Sequence, residues 1–240
     1  VYLSRDSDGV PVAVKWMDQP YAPLIDRFKR EIEILTRLDH PGVIRTLDHG
    51  VAEGRPYLAM EYVEGQDLSL YASKLHQRPP WERYERTRKI GEALCAALEY
   101  IHSHGLVHRD LKPSNVLIAR DDRVVLTDFG VVKDTHDVTQ TAVGIVVGPL
   151  SYAAPEQLLG EPVGPRTDLF GLGGTLYFTL TLRRPFQGID RELEAGTQIV
   201  PPPPSHFEPG VPVDLEGVIM RLLASAPEAR PRDAASVRAM

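Results

Sequence analysis

One polar run set between apolar segments constrains this chain most: His108-Arg109-Asp110-Leu111-Lys112-Pro113-Ser114-Asn115, preceded by Val107 and followed by Val116-Leu117-Ile118. A second apolar run, Val124-Val125-Leu126, leads into Thr127-Asp128-Phe129-Gly130. Short apolar runs bounded by turn residues predict short buried strands, here with a charged loop at their ends. Two carboxylates and an amide, Asp110, Asn115 and Asp128, fall close together in this region. Hard oxygen ligands of this kind suit Mg²⁺, which keeps some waters and completes its shell with substrate phosphates.

The chain has 240 residues, 42% of them hydrophobic and 25% charged, enough for one large domain or two packed lobes. Its formal net charge of -6 argues against nucleic acid as the main partner. A single cysteine, Cys95, excludes an internal disulfide and points to a reducing compartment. No apolar run reaches membrane-spanning length and no signal peptide opens the chain, so a cytoplasmic location is expected, either alone or as the cytoplasmic part of a larger, membrane-anchored protein. The start at Val1 suggests a piece cut from a longer chain.

Periodicity predicts the elements. Residues 1–15 read as two strands around Asp6-Ser7-Asp8-Gly9, with Val10, Val12 and Val14 alternating. Phe28, Ile32, Leu35 and Leu38 recur at helical steps, predicting a helix over 24–38 that His40-Pro41 ends. Residues 43–63 read as two strands around Ala52-Glu53-Gly54-Arg55. A long helix over 81–105 places Ile90, Ala93, Leu94, Ala97, Leu98 and Ile101 on one face, with Cys95 as a small core residue. His102 and His104, just before the Gly105 stop, are expected to satisfy local groups. A strongly apolar helix is predicted over 168–182. Gly171, Gly173 and Gly174 lie inside it, and close packing is expected to offset their cost. Pro201 to Pro204 read as a rigid loop, with a polyproline ligand as the other reading.

These motifs carry a resemblance. HRDLKPSN followed by DFG resembles the catalytic loop and metal-binding motif of eukaryotic-like (Hanks-type) serine/threonine protein kinases, with a bacterial flavour. Val12-Ala13-Val14-Lys15 resembles the third-strand VAIK, and residues 128–156 resemble an activation segment, closed by Ala154-Pro155-Glu156 as the APE motif. The resemblance implies an α+β, two-lobed fold: a small lobe (1–63) with an antiparallel sheet and one helix, and a larger, mainly helical lobe (64–240). It also implies roles. Asp110 would be the base that orients the substrate hydroxyl, and Lys112 a point charge on the γ-phosphate. Asn115 and Asp128 would hold Mg²⁺, and Lys15 would pair the α- and β-phosphates of ATP. Glu31 would hold Lys15, with Glu33 as its competitor. Ala13, Met60, Leu117 and Val1 would line the adenine pocket, and the backbones of Glu61 and Val63 would meet the base. Arg109 would await an activation-segment phosphate, with Thr139 and Thr141 as acceptors or as unmodified loop residues. Asp168 would anchor the catalytic-loop backbone, and Arg230 would pair with Glu156.

Two departures stand out. The glycine-rich loop strand that precedes VAIK in the family is missing, with only Val1 in place of its last residue. Pro149 replaces a threonine that in the family touches the catalytic aspartate and lysine, and proline carries neither hydroxyl nor N–H. The expectation is Mg-ATP-dependent transfer to Ser/Thr hydroxyls of proteins, autophosphorylation included. A nucleotide-binding pseudokinase scaffold and a small-molecule phosphotransferase are the rivals.

Overall fold

The computed structural model describes residues 1–16, 32, 35–129, 152–186 and 200–240. Most of the helix expected over 24–38 lies outside them; of that segment Ile32 and Leu35 are helical and buried. The chain adopts an α+β, two-lobed fold, with an antiparallel sheet at one end and a helical body at the other.

Strand β1 (Tyr2–Arg5) turns into β2 (Pro11–Trp16) through Asp6, whose Oδ1 accepts from the Asp8 and Val10 N–H groups at 3.0 and 2.8 Å. Strands β3 (Thr46–Ala52) and β4 (Arg55–Glu61) are joined by Glu53 and Gly54, both left-handed, the geometry that matches a two-residue hairpin to strand twist. The sheet order is β1-β2-β4-β3. Register puts Ala13 opposite Met60, so the two side chains share a face.

A second sheet, β5 (Gly65–Asp67), β6 (Val116–Ala119) and β7 (Val124–Leu126), frames the polar run. A Cβ on Gly65 would sit 2.2 Å from the Ile118 carbonyl oxygen, so only glycine lets β5 close on β6. The two sheets are stitched by the segment before β3: Ile44 N–H donates to the Leu126 carbonyl and Leu126 N–H to that of Gly42, both at 2.9 Å.

The helical body begins with α1 (Leu68–Leu75), which sequence reasoning did not anticipate. Its signals were present: Asp67 caps it by accepting from Leu70 N–H at 3.0 Å, and Leu68, Ala72 and Leu75 recur on one buried face. Helix α2 (Pro80–Ser103) is the long helix expected; Ile90, Leu94, Ala97, Leu98 and Ile101 are buried, and Ala93 is half-buried. Burial pushes the Cys95 thiol up to about 12, which fits a core residue. After the short α3 (Pro155–Leu158) comes α4 (Pro165–Thr181), buried along nearly its whole length and packed against α2. It starts three residues before the expected Asp168, because Gly164-Pro165 is a better helix start than an interior aspartate. It ends at Leu182, held left-handed. A Cβ on Gly171 would meet the Leu111 carbonyl oxygen at 2.8 Å, so this glycine lets α4 lie directly under the polar run. Pro202 in the proline run accepts a hydrogen bond from Tyr177 Oη at 2.9 Å, as a rigid loop would. Helices α5 (Val213–Leu222) and α6 (Ala234–Arg238) complete the body.

Candidate active site

The floor of the site is built on one buried carboxylate. Asp168, in the first turn of α4, has a side chain that is 0% exposed. Its Oδ1 accepts from Arg109 N–H, and its Oδ2 from His108 N–H, both at 2.8 Å. His102 Nε2 also lies 2.8 Å from Oδ2. Buried carboxylates persist only when their lone pairs are filled, and these partners come from α2 and from the polar run itself. His102 therefore does not serve a local cap as expected; it reaches a residue 66 positions away. His104 stays local, its Nδ1 being 2.8 Å from the Tyr100 carbonyl.

His108 ties the two halves of the motif together. Its Nε2 lies 2.9 Å from the Thr127 carbonyl and must donate there, while Nδ1 accepts from Asp110 N–H at 3.3 Å. That pair of bonds requires the neutral ring. Burial holds the imidazole below its usual value, against the pull of Asp168, the Thr127 carbonyl, Asp110 and Asp128. The Phe129 ring packs beside it at a tilt of 45°, with ring centroids 4.9 Å apart.

On this floor the polar side chains converge. Asp110 Oδ2 accepts from Lys112 Nζ and from Asn115 Nδ2, each at 2.9 Å. Asn115 Nδ2 also donates to the Asp110 backbone carbonyl at 2.8 Å. The Thr127 N–H donates to the Asn115 carbonyl at 2.9 Å, which brings Asp128 alongside. Asp128, left-handed at φ 57°, accepts from Lys15 Nζ at 2.6 Å through Oδ1.

The donor set fits a hard divalent cation. Both Asn115 amide hydrogens face Asp110, so its Oδ1 is turned the other way, where it accepts only a long hydrogen bond from Ser114 Oγ at 3.4 Å, and Asp128 Oδ2 takes no hydrogen bond among the described residues. Two protein oxygens suit Mg²⁺, which draws further ligands from phosphate and water. Among the described residues there is no group of three or more His, Cys, Asp or Glu side chains that would form an all-protein metal cage.

Between the sheets lies a small apolar cluster of Ile44, Met60 and Val125, with Ala13, Val63, Leu117 and Phe129 packed against it. It gathers four of the residues expected around adenine. Glu61 is half-buried and its Oε1 accepts from Arg45 N–H at 3.1 Å. Val1 is 70% exposed at the start of β1 and outside this cluster.

Far from the cleft in sequence, Arg230 makes two hydrogen bonds to Glu156, NH1 to Oε1 at 2.7 Å and NH2 to Oε2 at 2.8 Å. Thr167 Oγ1 donates to the same carboxylate at 2.8 Å. Burial alone would raise the Glu156 carboxyl; the hydrogen bonds and charge of Arg230 outweigh it and keep the group below its usual value. Arg109 is half-buried, left-handed at φ 65°, and its Nε has no partner among the described residues. The motif left one contact unread: Gln157 Nε2 donates to the Arg109 carbonyl at 2.8 Å. Glu31, Glu33, Thr139, Thr141 and Pro149 lie outside the described residues.

A two-lobed α+β chain with this floor and this cluster of Lys, Asp and Asn side chains has the architecture of a kinase. Comparison with known proteins agrees. A family model for the protein kinase domain matches residues 1–237. The serine/threonine-protein kinase PknB of Mycobacterium leprae is 38% identical over 223 residues, 89% of this chain and 35% of that protein. The crystal structure of the Mycobacterium tuberculosis PknI kinase domain superposes with a TM-score of 0.77 at 30% identity, covering 99% of this chain and 88% of that one. A crystal structure of Rad53 residues 1-466 in complex with AMP-PNP gives 0.75 at 29% identity, over 96% of this chain and 57% of that one. The chain belongs to the protein kinase domain family. It spans 35% of the length of the curated PknB relative.

Proposed function

We propose that this chain transfers the γ-phosphate of Mg-ATP to serine or threonine hydroxyls of proteins, including its own Thr139 or Thr141. The observation that carries the reading is the convergence on Asp110 Oδ2 of Lys112 and Asn115, with Lys15 on the neighbouring Asp128. Asp110 accepts the proton of the substrate hydroxyl as its oxygen bonds to phosphorus and the bond to the ADP oxygen breaks, the electron pair leaving with ADP. Lys112 sits close enough to the base to share its field with the incoming phosphoryl group, and Lys15 orients the α- and β-phosphates. Asn115 and Asp128 would hold Mg²⁺, which when bound neutralises phosphate charge. Ala13, Met60, Val63 and Leu117 supply the apolar walls for adenine, and the backbones at Glu61 and Val63 its polar edge. Val1 stands in the place of the last residue of the family's phosphate-covering loop, and Glu31 steadies Lys15. Arg109 Nε, which has no partner among the described residues, suits a phosphorylated threonine, a charge-assisted pair that would order the activation segment. Residues 1–63 act as the nucleotide-binding lobe and 64–240 as the substrate-binding lobe. The relatives' greater length fits a cytoplasmic catalytic part of a larger, membrane-anchored protein.

The test is incubation of the chain with Mg-ATP, read by intact mass and peptide mapping. Added phosphate on Thr139 or Thr141 is expected. Asp110→Asn should lower transfer by roughly 10²–10⁴-fold while nucleotide binding persists, since the base acts on the hydroxyl. Thermal stabilisation by ATP with no added mass on itself or on a protein substrate would overturn the reading.

A further inference from the structure

We infer that Gln157 is a positioning residue for Asp110: its carboxamide fixes the peptide plane from which the base departs and ties that plane to the end of the activation segment. The inference rests on the phosphotransfer reading for its kinetic consequence, but its structural core does not.

The residue before the base is strained. Arg109 has φ 65°, a left-handed region that residues other than glycine seldom adopt. Such a conformation persists only where the surroundings over-determine it. Here each end of Arg109 is held by a side chain from a different element. Asp168 on α4 takes its N–H, and Gln157 on α3 donates to its carbonyl, both at 2.8 Å. That carbonyl belongs to the same planar peptide unit as the Asp110 N–H, which donates to His108 Nδ1. Holding the oxygen therefore sets the rotation of the plane and the direction in which the Asp110 side chain leaves the backbone.

A carboxamide suits the place. Oε1 accepts from Ala154 N–H at 3.0 Å, while Nε2 faces a carbonyl, which only accepts. The two partners have fixed roles, so the amide can sit only one way round. Leucine would supply neither bond. Glutamate would keep the acceptor toward Ala154 but set a carboxylate against a carbonyl oxygen. Gln157 is itself held firmly, because its neighbour Glu156 is locked to Arg230 and Thr167 in the core. The seat of the activation segment's last turn and the orientation of the base are thus one hydrogen bond apart.

The test compares Gln157→Leu and Gln157→Glu with the parent and Asp110→Asn, by steady-state kinetics, melting temperature and amide hydrogen exchange. Expected in both Gln157 variants is a drop in kcat of about tenfold, the order of one lost hydrogen bond. KM for ATP should stay within about twofold and the melting temperature near the parent's, since the nucleotide wall is untouched. Exchange should rise in residues 107–111 and not in α4. Unchanged exchange there, unchanged kcat in a parent that transfers phosphate, or KM and melting temperature falling together with kcat would each overturn the inference. A parent that transfers no phosphate would sink the proposed function instead, and exchange would still decide whether Gln157 holds the peptide. Should the leucine variant fail to fold, the glutamate variant decides.

Discussion

Two ion pairs hold the two sides of the cleft, and they are of opposite kinds. Arg230 and Glu156 have side chains 0% and 3% exposed, meet through two bonds, and sit deep in the helical lobe. Lys15 and Asp128 meet through one contact, with side chains 40% and 29% exposed. Removing one partner of a buried pair leaves an uncompensated charge and costs about 3–5 kcal/mol. An exposed pair contributes about 0–1 kcal/mol. The first belongs to the fold and exists before any ligand arrives. The second can give up its partner to a phosphate at little cost. Rigidity lies under Asp110, and exchangeable contacts lie where the proposed nucleotide would enter.

The largest effect that would test this contrast is on Arg230. Replacing it as Arg230→Met should lower the melting temperature by roughly 6–20 °C, taking about 2–4 °C per kcal/mol for a chain of this size. A pH series comes next. The Glu156 carboxyl is held below its usual value in the fold, so its contribution is present above about 4.5 and lost as pH falls through the folded value. His108 is held neutral, so the unfolded chain takes up its proton first and stability falls as pH drops below 6.5. Only His108 titrates between these limits, so melting at pH 5.5 should come below melting at pH 7.5, and the further loss through Glu156 sets in only below about 4.5. The smallest shift belongs to the exposed pair. Lys15→Met should move the melting temperature by less than about 4 °C while abolishing most nucleotide-dependent stabilisation. A Lys15→Met chain as unstable as Arg230→Met would break the contrast.

The sequence revealed the residues whose chemistry demands a type at a spacing. Asp110, Lys112, Asn115 and Asp128 could be singled out because the roles proposed for them, a base, a point charge and two oxygen ligands, admit few substitutes. The strands were legible from alternation and from turn residues such as Asp6 and Gly54. Side chains that act through distant partners were harder to read. His102 looked like a helix-end residue because nothing in a linear pattern marks a partner 66 positions on. Gln157 followed a recognised motif yet carried no signal of its own, since its partner is a backbone carbonyl. The same holds for Arg83, buried between His76 and Glu208. The missed helix α1 is different: Asp67 and the Leu68-Ala72-Leu75 spacing were open to view, and the expected lobe boundary drew the reading past them.

Glu156 leaves the ribosome 74 residues before Arg230. At about 5–20 residues per second, that interval lasts roughly 4–15 s. Throughout it the carboxylate has no guanidinium to meet, so the helical lobe cannot close behind the catalytic loop as it emerges. Synthesis order thus leaves the Glu156 carboxylate without its partner until the segment carrying Arg230 emerges. A chain cut between these residues would be caught at that stage, with its catalytic motifs all present and nothing to seal them in.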